Sequence, residues 1–290
     1  LSKFISIGNQ ADLNAADYLE YLGEDEDTGA VVFYMEGFPE GRRFFQVARE
    51  VVKKKPVVIY KAGRTEAAAR ATLSHTSSLA GSDEVFNAMC KQVGLIRAAE
   101  AAHTFDMAEA LVSQPLPKGN RVAIIGSGGQ GVVISDSCES LGLKVPEFDD
   151  ETKARLKRAL PPHAPVPTNP VDFAGAMRTA LDEARVADAL AQIDYIDGLI
   201  TNMPIFGFSP HAPGQMARIA IEGAEILASI PKKYAKPVIT LRWGASRSTD
   251  IVQEIVRSAH IPAYETPEQC ARAMYALASY AKLRRDLGVG

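Results

Sequence analysis

Three features of this sequence predict an α/β fold of two doubly wound parallel sheets. Short apolar runs alternate with amphipathic stretches along its 290 residues. The runs are close to continuous in hydrophobicity, which marks parallel strands covered by helices on both faces rather than an antiparallel sandwich. A break rich in proline and glycine, Pro115-Leu116-Pro117-Lys118-Gly119-Asn120, splits the alternation into two parts, each of a size suited to five strands.

Taken in order, strands are predicted at residues 4–7, 30–35, 57–60, 122–125, 199–203 and 238–243. The helices between them follow from caps and from apolar positions spaced by three and four. Phe45, Val47, Ala48, Val51 and Val52 give one face; Val85, Phe86, Met89 and Val93 give another, entered through Ser82-Asp83-Glu84; Ala271, Met274, Ala278 and Tyr280 mark a C-terminal helix. Lys53-Lys54-Lys55 closes a helix, where cations complement the dipole. Pro161-Pro162-His163-Ala164-Pro165-Val166-Pro167 is too proline-rich for a helix or a central strand and reads as an extended connector. The break before residue 118 gives two domains, 1–117 and 118–290.

Composition narrows the function classes. With 47% apolar and 23% charged residues and no apolar run of membrane length, the chain reads as a globular protein with no membrane partner. A net charge of −3 without a block of either sign argues against nucleic acid. Cys90, Cys138 and Cys270 show neither metal spacing nor a disulfide framework, so they read as reduced and cytoplasmic. No metal site is predicted, since His103, His163, His211 and His260 have no ligand spacing among them. The sequence enters a strand-like segment at once, without an initiator methionine or a secretory pattern, and so reads as an internal start.

Ligands of open parallel sheets gather at the carboxyl ends of strands. Glu36 directly follows the second predicted strand, where a carboxylate can orient an imidazole and select its tautomer, or can simply open a polar turn. Ser74-His75-Thr76-Ser77-Ser78-Leu79-Ala80-Gly81 precedes a helix start. Its small side chains and free N–H groups leave room for an anion on His75, although the same residue types also make ordinary capped turns. Gly126-Ser127-Gly128-Gly129-Gln130-Gly131 follows a strand and allows close backbone approach to an anion at a helix N-terminus. It also satisfies the G-x-G-x-x-G pattern of a dinucleotide loop, with the acids Glu147, Asp149 and Asp150 near the place of a ribose ligand. Asn169-Pro170-Val171-Asp172 offers an extended Asn169 and an N-cap in Asp172. Lys61-Ala62-Gly63-Arg64 ends a strand shortly before His75; its cations can attract phosphate, though single cations of this kind are ordinarily solvated.

The order of segments as a whole resembles the NDP-forming acyl-CoA synthetases, relatives of succinyl-CoA synthetase. The resemblance rests on Asn9-Gln10-Ala11-Asp12, Asp17 to Leu22, Tyr34-Met35-Glu36-Gly37 with Gly41-Arg42, Lys61-Ala62-Gly63-Arg64, Ser74-His75-Thr76 with Ser78-Leu79-Ala80-Gly81, Gly119-Asn120-Arg121, the glycine loop and Asn169-Pro170-Val171-Asp172. It implies two flavodoxin-like subdomains. It also implies a reversible reaction in which acyl-CoA and phosphate give acyl phosphate and CoA, the phosphoryl group passes to a histidine, and the phosphohistidine phosphorylates ADP or another NDP. The phosphohistidine falls on His75 and its supporting carboxylate on Glu36. Phosphate contacts fall on Ser74, Thr76, Ser77 and Ser78 and on Gly128, Gly129 and Gly131. Ser77 departs from the glycine usual at its place. No tightly bound cofactor is implied; CoA, ATP or ADP and Mg are substrates of the complete enzyme. The implied partners are a CoA-binding domain upstream, an ATP-grasp domain or subunit, and further copies in an oligomer. Two other readings stay open beside this one: a non-catalytic module sensing acyl-CoA, and an NAD-binding Rossmann protein.

Overall fold

The computed structural model describes residues 1–65, 67–68, 82–126, 128–160, 165–173, 179–202, 214–242 and 247–289. The chain forms two compact units, residues 1–108 with 282–290 and residues 109–281.

In the first unit the elements run α1 (Ala15–Glu24), β1 (Val31–Met35), α2 (Gly41–Val51), β2 (Val57–Lys61), α3 (Asp83–Val93) and β3 (Ile96–Arg97). The strands form a parallel sheet in the order β1-β2-β3, with Met35 level with Lys61 and Ile59 level with Arg97. Asn14 starts α1 through a capping box: its Oδ1 accepts from the Ala16 N–H at 2.8 Å, and Asp17 Oδ2 accepts from the Asn14 N–H at 2.8 Å. The core joins Leu19 of α1, Phe33 of β1, Phe44, Ala48 and Val51 of α2, Ile59 of β2, and Phe86 and Cys90 of α3.

Several expectations are corrected here. Residues 4–7 are not a strand: they pair with nothing in the sheet and Phe4 is 82% exposed, so apolar content without a neighbouring ladder makes no strand there. The first sheet has three strands among the described residues instead of five. The buried face of α2 centres on Phe44, which leaves Phe45 and Val47 at its margin, and Val85 of α3 points to solvent while Cys90 takes its place in the core.

The second unit follows the end of α4 (His103–Ser113) with β4 (Val122–Gly126), α5 (Gly129–Ser140), α6 (Asp150–Ala159), β5 (Val171–Asp172), α7 (Ala180–Ala191), β6 (Gly198–Asn202), α8 (Gly214–Tyr234), β7 (Val238–Leu241), α9 (Arg247–Ser258), β8 (Ala263–Tyr264) and most of α10 (Pro267–Asp286). All five strands are parallel, in the order β5-β4-β6-β7-β8. That is second, first, third, fourth, fifth along the chain, the flavodoxin-like winding. Every residue of β4, β6 and β7 is buried, which accounts for their continuous hydrophobicity in the sequence.

Two polar devices fix β4. At its start, the Arg121 N–H and Nε donate to Asp197 Oδ2 at 3.0 and 2.9 Å, and a second guanidinium nitrogen donates to Oδ1 at 3.2 Å. Along its edge, Asn169 Oδ1 accepts from the Ile124 N–H at 2.9 Å, while Nδ2 donates to the carbonyls of Val122 and Pro146 at 2.9 and 3.0 Å. The Asn169 side chain thus substitutes for a strand neighbour. Asp172, expected as an N-cap, instead lies in β5, level with Gly126.

Asp197 is the buried member of its pair, 3% exposed against 41% for Arg121. Asp197→Ala strands the Arg121 N–H and is expected to cost about 2 kcal/mol, the range of hydrogen bonds to a charged group after discount for the solvated guanidinium. Urea unfolding followed by the fluorescence of Trp243, the one tryptophan of the chain, reads this as a lower midpoint; an unchanged midpoint contradicts it.

No helix among the described residues is long and apolar enough to cross a membrane. All three cysteines are buried and free, and burial pushes the thiols of Cys90 and Cys138 up to about 12, far from reactive thiolates.

Candidate functional site

At the carboxyl end of the first sheet, the chain leaves β1 through Glu36, which is half-buried, and Gly37, which is buried. Gln10 holds this turn. Its Nε2 donates to the Gly37 carbonyl at 3.2 Å and its Oε1 accepts from the Ala15 N–H at 3.1 Å, tying the turn to the start of α1. Phe38 then packs on Phe44 at 4.5 Å between ring centroids and stacks on Phe86 of α3 at 5.7 Å. The turn after β1 and the first turns of α3 therefore meet at one end of the sheet.

β2 ends at the same level, and the Ala62 N–H donates to the Met35 carbonyl at 2.8 Å. Lys61, expected to be solvated, is only 2% exposed. Its Nζ lies 5.9 Å from the Phe86 ring centroid, and Arg97 at the end of β3 holds its guanidinium 5.2 Å from the same ring. Arg97 also donates to Asp83 Oδ1 at 2.5 Å, at the start of α3. Burial lowers the pKa of the Lys61 ammonium, Arg97 lowers it further, and Asp83 opposes the change. Arg64 is exposed and lies over the Tyr60 ring.

Between β2 and α3 lie His75, Ser74, Thr76, Ser77 and Ser78, all outside the described residues. Where the chain enters description again, Ser82 caps α3, its Oγ accepting from the Val85 N–H at 3.3 Å, as its sequence signal predicts.

In the second unit the glycine loop has the geometry of a tight strand-to-helix turn. Gly128 is the N-cap of α5 at φ +53°, a conformation that glycine adopts without strain. A Cβ on Gly126 would stand 3.1 Å from both the Cα and the N of Gly131, and one on Gly131 would stand 3.0 Å from Pro170 Cβ. The spacing of Gly126, Gly128 and Gly131 is thus fully used in bringing α5 against β4 and the Asn169-Pro170 segment. Gly129 opens the helix with nothing within 4 Å of the place a Cβ would take, and the Gly131 N–H donates to the Gly128 carbonyl at 3.2 Å. Asp149, a candidate ribose ligand in the dinucleotide reading, caps α6 instead: its carboxylate accepts from the Thr152 N–H at 2.7 Å, and that bond holds its pKa below the usual carboxylate range.

Sequence reasoning missed one residue here and the environment of another. Asn202 ends β6 one position beyond the Ile125–Thr201 pair, beside the Gly126 turn, and is buried with its Oδ1 unpartnered. An asparagine closing an apolar strand was the available signal. Lys61 was seen, but its burial was not.

The Succinyl-CoA ligase like flavodoxin domain family matches residues 1–111, and the Ligase-CoA domain family matches residues 121–281. The chain is 41% identical over 282 residues to the alpha subunit of acetate–CoA ligase [ADP-forming] II of Pyrococcus furiosus, and 38% identical over 285 residues to that of isozyme I. Each alignment covers 97% of this chain, which spans about 60% of the length of these relatives. The dinucleotide forming acetyl-coenzyme A synthetase 1 of Ca. Korarchaeum cryptofilum, solved with phosphate and ADP, superimposes with a TM-score of 0.81 at 31% identity, over 97% of this chain and 59% of that one. Two domain families matched in succession, together with a shared fold at this level of identity, establish that the chain belongs to the NDP-forming acyl-CoA synthetase family.

Proposed function

We propose that this chain is the phosphohistidine-bearing part of an NDP-forming acyl-CoA synthetase, converting acyl-CoA, ADP and phosphate reversibly to carboxylic acid, ATP and CoA. The observation that carries this reading is the placement of Glu36 at the end of β1, level with the strand end from which the chain runs on to His75. His75 is the nucleophile and phosphoryl carrier. Glu36 accepts a hydrogen bond from the N–H of its distal ring nitrogen, which keeps the proton there and leaves the other nitrogen free to attack. Attack on acyl phosphate forms the N–P bond and releases the carboxylate; attack by the terminal oxygen of ADP on phosphohistidine breaks that bond and gives ATP.

The proposed phosphate contacts are Ser74, Thr76, Ser77 and Ser78 in the first unit and, in the second, the glycine loop of Gly128, Gly129 and Gly131, where the Gly131 N–H already donates to the Gly128 carbonyl at 3.2 Å. The two domains of the proposal are residues 1–117 and 118–290. A CoA-binding domain and an ATP-grasp domain or subunit complete the cycle, with Mg accompanying the nucleotide, in a cytoplasmic oligomer without a tightly bound cofactor. The name of the Pyrococcus furiosus relatives makes acetate the first acyl group to assay.

A covalent phosphoenzyme gives a ping-pong signature. The complete protein with ATP, Mg and labelled ADP, without CoA or carboxylate, is expected to exchange label into ATP. Exchange that requires CoA and carboxylate overturns the proposal.

A further inference from the structure

Lys61 is a buried cation that the fold leaves almost unanswered. At 2% exposure its Nζ has, among the described residues, one hydrogen bond, a long one of 3.4 Å to the Ala62 carbonyl. The carboxylate that acts on it, Asp83, is already bound by Arg97 at 2.5 Å. An ammonium group removed from water is unfavourable unless an anion meets it. Lys61, Arg97 and Asp83 together carry one excess positive charge, held at the carboxyl ends of β2 and β3 against Phe86. Those ends are where parallel sheets bind ligands. The cluster also brackets the histidine segment: Lys61 closes β2 before it and Asp83 opens α3 after it.

We propose that Lys61 binds an oxygen of the inorganic phosphate that becomes the phosphoryl group on His75, an inference that rests on the reading of this chain as the phosphohistidine-bearing part. One excess positive charge attracts any anion, and the place of the cluster on either side of the histidine segment in the sequence makes phosphate the anion proposed. Lys61 supplies a charge-assisted donor, and the arriving anion offsets the cost of its burial. Arg97 stays occupied by Asp83 and fixes the Phe86 platform.

The effect on stability has a definite sign. A lysine with a lowered folded pKa destabilises the folded state in full below that pKa, and the cost is relieved as pH rises through it to the unfolded value. Removing the charge is therefore expected to relieve that cost.

The test compares Lys61→Met with the wild-type complete protein. The variant is expected to melt at the same or a higher temperature, and to lose the rise in melting temperature that phosphate gives the wild type. Its KM for phosphate in the direction of ATP formation is expected to rise about 10- to 100-fold, the loss of one charged hydrogen bond. Its KM for CoA and for the carboxylate in the reverse direction stays unchanged. An unchanged KM for phosphate, an equal rise for CoA, a rise confined to the carboxylate, or a variant that fails to fold or melts several degrees lower overturns the assignment. If the wild type shows no ATP–ADP exchange, the phosphohistidine reading itself fails; if exchange is intact and the KM for phosphate in Lys61→Met is unchanged, only the role of Lys61 fails.

Discussion

A His75→Ala protein is expected to lose ATP–ADP exchange and net ATP formation down to background. In the proposed cycle the phosphoryl group is never passed directly from acyl phosphate to ADP: it rests on one imidazole nitrogen between two half-reactions. Removing that nitrogen leaves neither half-reaction with an acceptor, so both directions fail together. The measurement is the initial rate of each half-reaction with the variant, beside melting curves that show it folded. Retained exchange in a folded His75→Ala protein places the nucleophile elsewhere. Substitution at Ser77 is a useful contrast, since its hydroxyl is one of several proposed donors to the phosphoryl oxygens and its loss leaves the nucleophile in place.

Glu36→Gln is expected to slow phosphoryl transfer by about 10²- to 10⁴-fold while substrate KM values change little, the range for removing a group that sets the protonation state of a catalytic partner. The argument begins with the backbone. Glu36 follows the last residue of β1, the Gly37 carbonyl is tied to Gln10 at 3.2 Å, and Phe38 is stacked on Phe86. The carboxylate is thus presented from a turn anchored on both sides. Glutamine keeps the shape but can present an N–H where a carboxylate oxygen stood, which favours the wrong imidazole tautomer and no longer stabilises an imidazolium. Because the change acts on the transition state, kcat falls and KM does not. A Glu36→Gln protein with wild-type kcat contradicts the role.

Much of the fold could be read from apolar runs because β2, β4, β6 and β7 are central and almost wholly buried, so their hydrophobicity needs no tertiary context, while β1, at the edge of the three described strands, still buries Val31, Phe33 and Met35. β3, β5 and β8 have two residues each, too short to carry any period. Residues 4–7 show the opposite failure, apolar residues with no ladder beside them. The strand-end position of Glu36 and the tight turn of the glycine loop are legible because both are local signals. The burial of Lys61 was not, since it depends on Phe86 from α3 and Arg97 from β3, and lysine reads as a surface residue wherever only its neighbours in sequence are known. The pairing of Arg121 with Asp197 joins positions 76 residues apart and leaves no local trace either.

The phosphohistidine is the central claim, and its most direct measurement is the position of the phosphoryl group. The complete protein, incubated with ATP and Mg and digested with trypsin under alkaline conditions, yields a peptide spanning residues 71–91, in which His75 is the only histidine. The account predicts that this peptide gains the mass of one HPO3 group, that fragmentation places the group on His75, and that acid removes it while alkali does not. A phosphoryl group on a serine or threonine of the same peptide, on another peptide, or on none contradicts the account.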